Sequence, residues 1–111
     1  MRVLICGGRD VYPWSAMRAF MDKLVVGTLI NGAAPGVDSV AASVAKQLGW
    51  EVLSFPADWA AHGKAAGPKR NRQMLVEGKP DLVVAFPGGR GTEDMVSRAH
   101  RANVPVRRMV V

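Results

Sequence analysis

Residues 82–93 read LVVAFPGGRGTE, an apolar run that breaks into Gly88, Gly89, Arg90, Gly91 and Thr92. Glycines let a ligand come close to the main chain, and the free N–H groups at a helix start, expected here near Gly91, supply positive partial charge. A phosphate is the simplest occupant of such a stretch, and Arg90 either adds a full charge to it or lies in solvent. Thr92 is placed as the N-cap of the helix, or else its hydroxyl serves the phosphate. A glycine-rich turn without a ligand is the plainer reading of the same residues.

Three further segments carry related chemistry. In CGGRD, Gly7, Gly8, Arg9 and Asp10 follow an apolar run; in NGAAPGVD, Gly32 leads to Asp38, which caps the next helix or binds a ribose hydroxyl. AGPKRNRQM crowds Lys69, Arg70 and Arg72 at one helix start. Arg70 and Asn71 fall in its first turn, where guanidinium and amide suit phosphate and base edges, unless they belong to a solvated charged face. Asp58, in FPADW, joins Asp10 and Asp38 as a candidate for ribose or base contacts. Cys6 reads as a core residue at a strand end. His62 and His100 lack metal-ligand spacing, so no metal is expected, and the absence of G-x-G-x-x-G and G-x-x-x-x-G-K-[ST] removes the dinucleotide and P-loop fingerprints. No resident cofactor is expected.

The elements that must position these residues alternate. Val3–Cys6, Thr28–Ile30, Glu51–Phe55, Asp81–Phe86 and Val104–Val111 read as strands, separated by helical patterns over 13–26, 37–48, 68–77 and 92–102. Val37, Val40, Ala41, Val44, Ala45 and Leu48 keep helical spacing without a miss, and Gly49 stops them. Residues 57–67 have no clean period and read as a partly helical excursion, a lid or a dimer contact holding Trp59 and His62. Alternation of this kind predicts an α/β fold: one Rossmann-like domain over 1–111, a doubly wound parallel sheet of about five strands in the order 3-2-1-4-5 with helices on both faces. All strand ends then share one rim, and a crevice opens at the switch in winding, between Gly7-Gly8 and Gly88-Gly89.

Composition narrows the function. A chain of 111 residues, 49% apolar and 22% charged, buries one core. The net charge of +6 is uneven: residues 1–55 hold five Lys/Arg against four acids, and residues 56–111 hold ten against five. The second half attracts an anion such as nucleic acid, anionic lipid or a phosphorylated small molecule. Seven aromatics, not interleaved with the basic residues, disfavour nucleic acid. One cysteine excludes an internal disulfide and fits a reducing compartment. With no signal peptide and no run of roughly 20 apolar residues, a cytoplasmic protein that does not enter the membrane is expected.

The ordered set ICGGRD, INGAAPGVDSVA, FPADW, AGPKRNRQM and FPGGRGTEDM resembles the YspA-like (cpYpsA-related) branch of the SLOG superfamily. That superfamily also includes DprA-like proteins, which bind single-stranded DNA, and LOG-type phosphoribohydrolases once labelled lysine decarboxylases. The resemblance implies a Rossmann-like fold, a nucleotide-derived ligand such as an ADP-ribose relative, and self-association into a homodimer or larger oligomer. LOG-type enzymes carry P-G-G-x-G-T-x-x-E, and counting from Pro87 puts Met95 at the glutamate. A thioether cannot act as a general base or stabilise a cation with a full charge. Arg70 resembles their catalytic arginine, followed by Asn71 where those enzymes usually have lysine. The expectation is therefore binding or sensing of a phosphate-bearing, AMP- or ADP-ribose-like molecule. The enzymatic alternative is N-glycosidic hydrolysis by Arg70 with Glu93, Asp94 or Asp58 as surrogate acid; a further alternative is nucleic-acid binding through the basic half.

Overall fold

The computed structural model describes residues 1–110. In chain order the elements are β1 (Arg2–Cys6), α1 (Trp14–Asp22), β2 (Thr28–Asn31), α2 (Val37–Gln47), β3 (Glu51–Ser54), α3 (Trp59–His62), a 3-10 turn (Gly63–Ala65), α4 (Ala66–Gly78), β4 (Leu82–Ala85), α5 (Arg90–Arg101) and β5 (Val106–Arg108). The strands form one parallel sheet in the order β3-β2-β1-β4-β5, as the alternation predicts. The chain winds outward from β1 through β2 to β3, then returns to the other side of β1 for β4 and β5, so β1 and β4 flank the switch.

β1 shows why the sheet is covered twice. Successive side chains of a strand point to opposite faces. Val3 and Ile5 pack with Met17, Phe20 and Met21 of α1 and Val40, Ala41 and Val44 of α2. Leu4 and Cys6 pack with Met74 of α4 and with Met95, Val96 and Ala99 of α5. A central strand apolar on both faces therefore holds two cores apart. No helix among the described residues is long and apolar enough to cross a membrane.

Several boundaries move from their expected places. α1 stops at Asp22 rather than reaching residue 26, because Lys23 and Leu24 donate to Phe20 and Met21, three residues back, and tighten the last turn. Val25 and Val26 are left exposed. Pro68 lies inside the first turn of α4 instead of starting it, where its missing N–H removes no helical bond. α5 starts at Arg90, so Thr92 is its third residue and Gly89 the N-cap, which corrects the expected capping role of Thr92. β5 covers only Val106–Arg108 of the expected span, whose last residue, Val111, lies outside the described residues.

The loop between β2 and α2 lies directly on the loop after β1. Gly36 has φ +78°, and a Cβ there would run into the Gly8 carbonyl and Arg9. Val37 N–H donates to that same Gly8 carbonyl at 3.1 Å. Gly36→Ala should therefore cost about 3 kcal/mol, from unfavourable backbone and steric conflict together, lowering the urea midpoint; an unchanged midpoint would refute the loop contact. Met95 is 0% exposed, among apolar neighbours. Met95→Glu should cost about 4 kcal/mol or more, because the carboxylate gains no partner there, and calorimetric melting would show it.

Candidate functional site

Outside the carboxyl ends of β1 and β4 lies a crevice of about 380 Å³. That volume suits a small organic ligand. It is built from separate places in the sequence: Gly7, Gly8 and Arg9 after β1, Gly32, Ala34 and Asp38 after β2, Arg70, Asn71 and Met74 on α4, and Gly89, Arg90, Gly91 and Thr92 at the start of α5. Cys6, Gly67 and Trp59 complete it.

The glycines divide into two kinds. Gly7 has no room for a side chain because Val37 packs against it, and a Cβ on Gly88 would collide with Thr92 Oγ1. Gly8 N–H donates to Pro87 O at 2.8 Å, so that amide joins the two loops and is not offered to a ligand. Gly88 does not line the crevice; its part is to let the loops close on each other. Gly89 and Gly91, by contrast, have open space where a Cβ would sit. No side chain caps α5, and its first main-chain bond runs from Glu93 N to Gly89 O at 3.1 Å. The N–H groups of Arg90, Gly91 and Thr92 precede that bond and have no carbonyl of their own helix to donate to. With the dipole of a twelve-residue helix behind them, they give this end of the crevice positive partial charge.

Asp38 neither caps α2 nor projects freely. Gly36 is the N-cap, and Asp38 Oδ2 accepts from Gly32 N at 3.2 Å and Ala34 N at 3.1 Å, holding the loop after β2. Burial pushes its carboxyl pKa up, against the lowering effects of the Ala34 N–H and the Arg70 charge. Arg70 donates from Nη1 to Gly32 O at 2.7 Å and from Nε to Asn71 Oδ1 at 3.1 Å. Burial pulls the guanidinium's pKa down while Asp38 pushes it back. Asn71 in turn donates from Nδ2 to Gly91 O at 3.1 Å and Asp94 Oδ2 at 3.0 Å, and Arg98 Nε reaches Asp94 Oδ2 at 2.8 Å. One polar chain thus ties the loop after β2, through α4, to the start of α5.

The remaining candidates lie elsewhere. Asp94 is bound into that chain and does not line the crevice; burial would raise its pKa, but the bonds from Asn71 and Arg98 outweigh it and hold it down. Glu93 faces outward, paired with both terminal nitrogens of Arg108 at 2.9 Å, and that bond holds its pKa down. Asp58 is exposed and caps α3, accepting from Ala61 N at 3.0 Å. Asp10 is exposed and outside the lining. Cys6 lines the crevice but is buried, and burial, helped by the Asp38 charge, pushes its thiol up to about 12, so it is no nucleophile. Trp59, Ala34, Gly67 and Met74 line the crevice without having been singled out for it. Only Trp59 carried a signal, as a large aromatic in a segment without apolar period.

Residues 1–62 match the family described as YAcAr, the YspA, cpYpsA-related SLOG family; α4 and the glycine-rich loop lie beyond that match. The Gene 61 protein of Mycobacterium phage D29 is 36% identical over 117 residues, spanning 95% of this chain and 93% of that protein. The X-ray structure of TM1055, a Northeast Structural Genomics Consortium target, shares the fold with a TM-score of 0.72 at 19% identity, over 95% of this chain and 71% of that one. The match covers more than half of the chain, and the phage relative extends the likeness over nearly all of it, so this protein belongs to the YspA, cpYpsA-related SLOG family.

Proposed function

We propose that this protein binds a nucleotide-derived, phosphate-bearing small molecule, of the AMP or ADP-ribose kind, in the crevice at the β1/β4 switch. The observation that carries the reading is the convergence of the uncapped N–H groups of α5 and the guanidinium of Arg70 on one cavity. Membership of the SLOG family supports a nucleotide-related role in general. Phosphate sits against the start of α5, and Arg70 adds charge from the side. Among the described residues, Asp38 is the carboxylate that lines the crevice, and it accepts a hydrogen bond from a ribose hydroxyl.

Binding is favoured over hydrolysis by the placement of the acids. A general acid or base must come within hydrogen-bond reach of its proton. Glu93, Asp94 and Asp58 are each engaged elsewhere and lie outside the lining, and Met95 is in the core. AMP incubated with the protein should release no adenine by chromatography; release in proportion to protein would favour the phosphoribohydrolase reading.

Isothermal titration with AMP and ADP-ribose tests the proposal. Arg70→Ala should weaken binding by about tenfold or more, the worth of a charge-assisted hydrogen bond. Silence across both ligands with folded protein would overturn the reading. The pH dependence supplies a separate check. Asp38 accepts as a carboxylate, and its pKa is raised by burial, so affinity should fall with decreasing pH earlier than an ordinary carboxylate would allow. Asp38→Asn keeps an acceptor for Gly32 and Ala34 and should flatten that pH profile; a profile as steep as the parent's would remove Asp38 from the site.

A further inference from the structure

Trp59 is left unexplained by phosphate chemistry. The residue is 48% exposed, on a helix none of whose residues is buried, yet it lines the crevice. The Arg9 guanidinium lies over the ring, 5.2 Å from its centroid. A cation over an exposed aromatic face is a weak contact, and a flat ligand competes with it readily. At 5.2 Å there is no room for a base between guanidinium and indole, so a base takes the ring only by displacing Arg9. Arg9 follows Gly8 on the loop after β1 and lines the same crevice, so the displaced charge stays within the site.

We propose that Trp59 is the stacking plate for the base of the bound nucleotide, with Arg9 occupying the ring until the base replaces it and then turning to the phosphate. The inference rests on the reading of the crevice as a nucleotide site and narrows its ligand to one that bears an aromatic base, excluding phosphosugars as equals. Every base has a π-face, so the plate selects for the presence of a base and leaves its identity to other contacts.

Titration of the parent, Trp59→Ala and Trp59→Phe with AMP and with ribose 5-phosphate tests it. Trp59→Ala should weaken AMP by roughly tenfold or more, the usual loss when a stacking ring is removed, and leave ribose 5-phosphate within about twofold. Trp59→Phe should retain most of the AMP affinity. AMP should quench tryptophan emission in the parent, and the quench should vanish in Trp59→Phe although Trp14 and Trp50 remain. Arg9→Ala should bind adenosine at least as well as the parent while losing affinity for AMP. If the parent binds both probes but Trp59→Ala weakens them equally or not at all, or the quench survives in Trp59→Phe, the stacking role falls and the phosphate site stands. If the parent binds ribose 5-phosphate as tightly as AMP, the base requirement falls. If the parent binds neither probe, the crevice reading fails and takes this inference with it.

Discussion

The peptide units of Gly8 hold the site together. Its N–H donates to Pro87 O on one side at 2.8 Å, and its carbonyl accepts from Val37 N on the other at 3.1 Å. Loops from β1, β2 and β4 are thereby fixed to one another at the edge of a parallel sheet. Such an edge has free main-chain groups once the strand ladder ends, and unpaired buried ones are costly. Glycine at positions 7, 8, 36 and 88 is what permits the approach, since at each of them a Cβ would press on the neighbouring loop. With those loops joined, the start of α5 and the loop after β1 line the same crevice.

Charge at the crevice works against the fold's own interest. Burial disfavours the ionised forms of both Asp38 and Arg70, shifting one pKa up and the other down. Their mutual attraction and their hydrogen bonds to the Gly32 peptide groups offset part of that penalty. A pair placed for stability alone has little reason to line a cavity, because an apolar pair of similar volume usually serves a core as well. The arrangement is a preorganised polar surface, which the proposed nucleotide binding would use.

The segment from Trp59 to Ala65 contrasts with this rigid base. It buries no residue of its own. Segments with few buried contacts open at low free energy, which is compatible with the proposed exchange of Arg9 for a base. The rim from β1 and α5 is thus tied by main-chain and side-chain bonds, while the wall that carries the ring has no buried residue to hold it.

The fold was legible in the residues because its signals are local. Val3–Cys6 reads as a doubly buried strand, Val37–Leu48 as an amphipathic helix, and strict alternation of strand and helix leaves few topologies besides 3-2-1-4-5. The convergence of CGGRD, NGAAPGVD and the glycine-rich loop on one edge follows from that topology. Tertiary contact decided the roles within the site. Whether a glycine offers its amide or merely admits a neighbour depends on what lies opposite: Gly88 meets Thr92 and Gly89 meets open space, though they are adjacent in sequence. Asp38 looked like a cap until the bend of its own loop brought two N–H groups to its carboxylate. Trp59 reached the crevice by lying beside the loop after β1, under the Arg9 guanidinium, a long-range placement with no local period to announce it. Local pattern fixes which elements form and in what order; direction and partner of each side chain are set only when distant segments pack.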